Sequence, residues 1–496
     1  MPTIVIVGGG TSGWISAATL LGVPGAEITV IESPKIPSIG VGESTIDGFV
    51  DWLNLIGIHP VDIMKETDAS FKHAIKFTDF LNVGTEFYYP FGVNGIEKEK
   101  YEIWEKRRFI EPESHHSFAD TFCANMALLR NKKFKSDSRN FPHNSYALHF
   151  DAIKFAGILR DKYCKPRGVK HVCAEVKEVK GNDDGIESVR TDTGDSYAAD
   201  YFIDCTGFKS ILLEGVMKEP FIDYSNVLPN NMAWATHIPY NNRDTEYEAV
   251  TNCTALGNGW VWNIPLWSKI GTGYVYSNKF ISDEDALAEF KNHISTKCRD
   301  VDTLEYKQIQ MKNGTHENIW VKNVIAIGLS AGFIEPLEST GLWFSHGVAK
   351  NLLQTLYRSP VTNQHDRDNF NRQYQNSWKE MVSFVSKHYA LSTRCDTAYW
   401  RHIANTKFEM DERFVYGTFD HHWYSKFTGM NCLAAGMNHH FYDEIHFWSQ
   451  HYPKNIDWKK HFSDDFKLLD TARQKWDEEA LKSRNIIDVL QEIHSS

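Results

Sequence analysis

Thr3-Ile-Val-Ile-Val7-Gly-Gly-Gly10-Thr-Ser-Gly13-Trp14 decides the fold: an apolar, β-branched run enters a glycine turn, and Trp14 to Leu21 then reads as a helix. Ala17, Ala18, Leu20 and Leu21 give that helix an apolar face, and Gly22 ends it. Ile28-Thr-Val-Ile-Glu32 follows as a second strand. Gly8, Gly10 and Gly13 match G-x-G-x-x-G, where glycines permit a tight turn and let backbone approach a pyrophosphate at a helix N-terminus. Glu32 stands where an acid accepts ribose hydroxyls. Strand, turn, helix, strand and acid together predict an α/β fold with a Rossmann-like dinucleotide-binding domain.

The chain has 496 residues, 42% of them hydrophobic and 13% aromatic, enough to bury a large core throughout. A net charge of −11 and the lack of any dense basic run argue against nucleic acid as a partner. The cysteines at 123, 164, 173, 205, 253, 298, 395 and 432 are scattered without zinc spacing, so reduced thiols in a cytoplasmic protein and no metal site are expected. The paired histidines 421–422 and 439–440 lack a suitably spaced third ligand. The opening strand leaves no room for a signal peptide, and no window reaches the ~20 apolar residues of a membrane span.

Pro37 to Thr45 forms a second loop before a helix carrying Phe49, Val50, Leu53 and Ile56, for which Thr45 is the expected N-cap. The stretch from about 65 to 145 is irregular and aromatic, and is expected to be an insertion building substrate walls. Short strands follow at 169–179 and 185–191. Tyr201-Phe-Ile-Asp-Cys-Thr-Gly207 and Val324-Ile-Ala-Ile-Gly328 are late apolar strands ending in small-residue turns, a return to the cofactor that favours FAD over NAD. Residues 230–312 predict an antiparallel sheet, and the chain from about 367 a helical cap. The expected FAD-binding core comprises 1–80, 145–225 and 315–365; the β-sheet layer and mainly helical substrate module comprise 81–144, 226–314 and 366–496.

After Phe333-Ile-Glu-Pro-Leu-Glu-Ser-Thr-Gly341, the residues Leu342, Phe344, Val348, Leu352 and Leu356 fit one helical face, placing Thr340 and Gly341 at a helix N-terminus suited to a small anion. With Gly40-Val-Gly-Glu-Ser-Thr45, Phe71-Lys-His-Ala-Ile-Lys-Phe77 and Trp260-Val-Trp-Asn-Ile-Pro265, this motif makes the chain resemble the flavin-dependent halogenases of the tryptophan halogenase family, from the first strand to about residue 440.

The resemblance implies an enzyme in which reduced FAD, oxygen and halide give hypohalous acid, which passes to Lys72 as a haloamine or a hydrogen-bonded acid. Glu338 then positions the oxidant or takes the ring proton, and Thr340 and Gly341 hold chloride, bromide or iodide. Gly8, Gly10, Thr11, Ser12, Gly13, Glu32, Gly42, Val176, Gly328 and Leu329 are the expected cofactor contacts. Trp260 and Trp262 would separate flavin from substrate, Tyr89, Phe91 and Trp423 would wall the arene, and Lys76 would be structural. A separate NAD(P)H-dependent flavin reductase is the implied partner; self-association into a homo-oligomer stays open.

The family's amino-acid clamp is not evident in Arg413-Phe-Val-Tyr-Gly-Thr-Phe-Asp420, so the expected substrate is an indole- or phenol-like arene without a zwitterion. Two other readings compete: a flavin monooxygenase that hydroxylates the arene directly, and a non-catalytic flavin-binding descendant.

Overall fold

The computed structural model describes residues 1–35, 42–92, 98–113, 117–138, 141, 145–408, 428–439, 451 and 455–496. Its first sheet is built on the opening strand, Thr3–Val7, which pairs in parallel with Glu27–Glu32 on one side and Tyr201–Asp204 on the other. Lys170–Cys173 extends one edge in parallel; Val324–Ala326 and then the antiparallel Trp320–Val321 extend the other. Ile4, Ile6, Val30, Phe202, Ile203 and Ile325 are fully enclosed, which is why these runs are apolar without alternation. Each such side chain contributes about 1.5–3 kcal/mol of burial.

The first helix spans Thr11–Leu20 rather than starting at Trp14. Gly10 is its N-cap, so the last residues of the glycine motif are themselves helical. The next helix, Gly48–Leu55, is capped by Asp47, whose carboxylate accepts the Gly48 N–H at 3.0 Å. Thr45 does not cap it: its hydroxyl donates to the Leu148 carbonyl and accepts the Leu148 N–H, tying the loop to a strand instead.

The segment expected to be an irregular insertion supplies strands at Ser70–Lys72, Ala74–Thr78 and Glu86–Pro90. Runs of three to five residues are too short to display a period. Two of them join the large sheet, whose order is Lys307–Gln310, Met232–Pro239, Lys269–Tyr276, Gly259–Pro265, Val250–Ala255, Ala74–Thr78, Glu86–Pro90. That sheet is antiparallel as expected except where Val250–Ala255 runs parallel to Ala74–Thr78. A small antiparallel sheet of Gly42–Ser44, Ala147–Asp151 and Ser70–Lys72 sets both Ser44 and Ser70 opposite His149.

The long helices Gly341–Arg358 and Gln364–Ala390 follow. The first packs along Thr11–Leu20, with Ser12 and Ser345 hydroxyls 3.0 Å apart. The second begins with a full capping box on Asn363 and Asp366 and brings His388 and Tyr389 into the interior.

Candidate active site

The glycine turn has the shape a dinucleotide requires. Gly8 adopts φ +112, and a Cβ there would stand 2.2 Å from the Cys205 carbonyl oxygen; one on Gly13 would stand 1.9 Å from the Gly8 oxygen. Gly10 faces open space. No side chain caps the helix at Gly10 and its first turn carries no carboxylate, so its free amides remain available to an anion. Glu32 ends its strand beside the turn, half exposed, with His171 Nε2 at 2.9 Å. Thr11 donates to the Ala152 carbonyl, and Ser12 is turned toward Ser345 beneath Gly328, where a Cβ would meet its hydroxyl at 2.3 Å. Leu329 lies in the same short turn as Gly328. Val176 opens a strand two residues after Ala174, whose N–H bonds the Glu32 carbonyl. Gly42 begins the small sheet opposite Asp151. These residues fit a flavin dinucleotide: a cradle that excludes Cβ atoms at Gly8 and Gly13, an open side at Gly10, and an acid at the strand end.

A second helix N-terminus lies alongside. Thr340 is the N-cap of Gly341–Arg358, without a side-chain cap, and Gly341 faces open space. The first turn contains no acid, so the dipole of this long helix acts on whatever anion approaches. The Ser12–Ser345 contact holds the two N-termini together.

Lys72 ends the strand Ser70–Lys72 with no solvent exposure. Its Nζ donates to the Thr45 carbonyl at 2.9 Å and to Ser339 Oγ at 3.1 Å, and lies 5.2 Å from the centre of the Phe91 ring. Burial of the ammonium pushes its pKa down to about 7, against the opposing pull of the Glu338 carboxylate. Glu338 is equally buried, and neither of its oxygens accepts an aligned hydrogen bond. His388 Nε2 stands 2.9 Å from Oε1, while its Nδ1 faces the Val385 carbonyl. The intervening Ser339 is held at φ +59, a conformation that costs a non-glycine residue about 1 kcal/mol and turns its hydroxyl to Lys72.

Tyr89 and Phe91 are brought to this point, their ring centres 6.2 Å apart. Burial and the Glu338 charge both raise the Tyr89 phenol well above its usual range. Gly429, on the helix Thr428–Gly436, presses directly on the Tyr89 ring. Trp260 and Trp262 share one face of their strand, 6.2 Å apart, and Trp260 Nε1 donates to Glu335. Lys76, by contrast, points away and pairs with Glu86 at 2.7 Å. Trp423 lies outside the described residues, as do His421, His422, His440 and the segment 413–420.

Sequence reading passed over Glu335, Ser339 and His388. Glu335 is enclosed and accepts from Asn230 Nδ2, Trp260 Nε1 and the Tyr389 hydroxyl, so one carboxylate fixes three separate elements. Its place three residues before Glu338 in the same motif was the available signal; His388, in a helical stretch rich in polar aromatics, offered none.

The tryptophan halogenase family model matches residues 3–446, spanning the glycine cradle, Lys72, Glu338 and Thr340 alike. The chain belongs to the tryptophan halogenase family. Among curated members it is 31% identical to the tryptophan 7-halogenase RebH of Lentzea aerocolonigenes over 484 residues, covering 88% of this chain and 89% of that one. It is 33% identical over 428 residues to the tryptophan 6-halogenase ThaL of Streptomyces albogriseolus, covering 80% and 78%. The solved apo structure of VirX1 superposes with a TM-score of 0.89 at 32% identity, covering 99% of each chain. Membership makes the chain a flavin-dependent enzyme with an α/β, Rossmann-like cofactor fold. No helix among the described residues is long and apolar enough to cross a membrane.

Proposed function

We propose that this halogenase transfers halogen through the free amine of Lys72 to an electron-rich arene lacking an amino-acid zwitterion. The observation that supports this most is the buried Lys72 itself, with two N–H bonds committed to Thr45 and Ser339, an aromatic ring at its side and the buried Glu338 carboxylate near enough to act on its charge. Gly8, Gly10, Gly13 and Glu32 would hold FAD, with Thr11, Ser12, Gly42, Val176, Gly328 and Leu329 around it. Reduced FAD, when bound, supplies with oxygen the oxidising equivalent that converts halide to hypohalous acid. Thr340 and Gly341 would hold chloride, bromide or iodide against the helix N-terminus, charge rather than size being read there.

Lys72 attacks the halogen of hypohalous acid with its lone pair. The N–X bond forms, the O–X bond breaks, and amine hydrogen and hydroxide leave together as water. The arene beside Tyr89 and Phe91 then takes the halogen: the C–X bond forms as the N–X pair returns to nitrogen, and the ring proton, taken by Glu338, passes on to that nitrogen and restores the amine. Trp260, fixed by Glu335, and Trp262 would keep cofactor and arene apart, so that oxygen transfer straight to the ring is blocked.

A pKa near 7 makes the amine available at neutral pH, which an ordinary exposed lysine is not. A separate NAD(P)H-dependent reductase would supply reduced FAD. The test is Lys72→Ala with chemically reduced FAD, oxygen and bromide: oxidant production continues while halogenation of indole falls by at least ~100-fold. Retained halogenation would refute the carrier role.

A further inference from the structure

Lys72 is one end of a buried chain of hydrogen bonds. Ser339 Oγ lies 3.0 Å from Ser44 Oγ, Ser44 Oγ 2.6 Å from Thr251 Oγ1, and Thr251 Oγ1 2.9 Å from His149 Nε2. His149 Nδ1 faces Ser70 Oγ at 3.4 Å, and Ser70 donates to the Pro265 carbonyl. Every member is buried, and four separate strands and the turn at Ser339 supply them.

Each hydroxyl carries one hydrogen, so the chain can be satisfied in one direction. Ser339 accepts an N–H of Lys72 and gives its hydrogen to Ser44. Ser44 then gives to Thr251, and Thr251 to His149 Nε2. That nitrogen must be bare, which puts the imidazole proton on Nδ1, toward Ser70. Ser70 in turn spends its hydrogen on a carbonyl, which can only accept. A neutral His149 is required, and burial together with the Lys72 charge holds its pKa well below the usual range.

We infer that His149, acting through Thr251, Ser44 and Ser339, is a positioning residue that points the Lys72 lone pair at the incoming halogen. With its two amine hydrogens bound to Thr45 and Ser339, Lys72 has one direction left for its lone pair. If the chain is cut, Ser44 loses its acceptor and can turn to Ser339, whose hydrogen is then free to bond the amine lone pair. That caps the nucleophile. It also favours the neutral amine over the ammonium, because the oxygen no longer accepts from nitrogen. The groups facing Lys72 are Glu338 from the turn after Pro336, Cys253 from the strand Val250–Ala255, Asp47 from the cap of Gly48–Leu55, and His149 itself. Of these, His149 alone is bonded to the hydroxyl that Thr251→Val removes; Glu338, Cys253 and Asp47 keep their places.

The inference rests on Lys72 as halogen carrier. The experiment measures bromination of indole against pH, with chemically reduced FAD, oxygen and bromide, for wild type, Lys72→Ala, Thr251→Val and Thr251→Ser. Wild-type activity that is absent in Lys72→Ala establishes the carrier role, and its loss in wild type or its survival in Lys72→Ala defeats both readings. Given the carrier role, Thr251→Val is expected to lower the plateau about tenfold and to move the limb near pH 7 acidward by roughly half a unit or more, with Thr251→Ser restoring both. Ser44→Ala, which cuts the chain one link earlier, should move the limb the same way. An unchanged limb in the Thr251→Val and Ser44→Ala enzymes, or a fall in activity that Thr251→Ser does not rescue, overturns it.

Discussion

Burying a lysine beside a buried glutamate is unfavourable for stability, and the depressed pKa of Lys72 measures part of that cost. In the unfolded chain the amine stays protonated up to about pH 10.5, whereas in the fold it releases its proton near 7. Between those values the unfolded state binds more protons, so the destabilisation is complete below about 7 and fades as pH rises toward 10.5. Lys72→Met should therefore raise Tm at pH 6 to 7, and thermal melts across pH should show the gain shrinking on the alkaline side. A pH-independent gain would deny the buried amine. Halogenation should rise with pH through the same value, since the free amine reacts. Glu335 is the converse case: its three donors make it a brace, and Glu335→Ala should cost at least ~2 kcal/mol in denaturant unfolding by leaving the Trp260 N–H and the Tyr389 O–H without their acceptor. The apolar run around Lys72 sets it apart from an ordinary surface lysine, but it is the resemblance to the halogenase family that makes Lys72 and Glu338 visible in the sequence. Ser339 and His388 were hidden, since a hydroxyl at φ +59 and an imidazole that meets Glu338 from the far end of another helix leave no local pattern.

At the scale of elements, the two helices Thr11–Leu20 and Gly341–Arg358 present uncapped N-termini side by side, one proposed for a pyrophosphate and the other for a halide. Gly341 has open space about it, so Gly341→Asp can be accommodated and places a carboxylate where the halide would lie. Helix stability should hold or improve, while the halide KM rises at least ~10-fold, since an acid at the first helical position satisfies the same dipole. An unchanged KM would move the halide elsewhere. The opening strand and turn were legible because glycine spacing, apolar runs and an acid agree over thirty residues. The strands between 70 and 90 were not, being short pieces whose pairing with Ala147–Asp151 and Val250–Ala255 is a long-range event. The same limit explains why Thr45 read as a helix cap although Leu148 claims its hydroxyl.

For the molecule as a whole, the first sheet carries the glycine cradle, the large sheet carries Trp260 and Trp262, the small sheet carries Lys72, and the helix Gln364–Ala390 brings His388 to Glu338. Saturating FAD at ~100 times its Kd should add about 2.7 kcal/mol to stability if the cradle is preformed, as a thermal-shift titration would register. NADH supplied without a reductase should be consumed no faster than in enzyme-free controls. The most direct measurement is mass spectrometry of a panel of indoles, phenols and free tryptophan incubated with reduced FAD, oxygen and bromide, using wild type and Lys72→Ala. The account predicts monobrominated indole or phenol from wild type alone, with free tryptophan turned over poorly. Hydroxylated product in place of bromide, or equal bromination by Lys72→Ala, would contradict it.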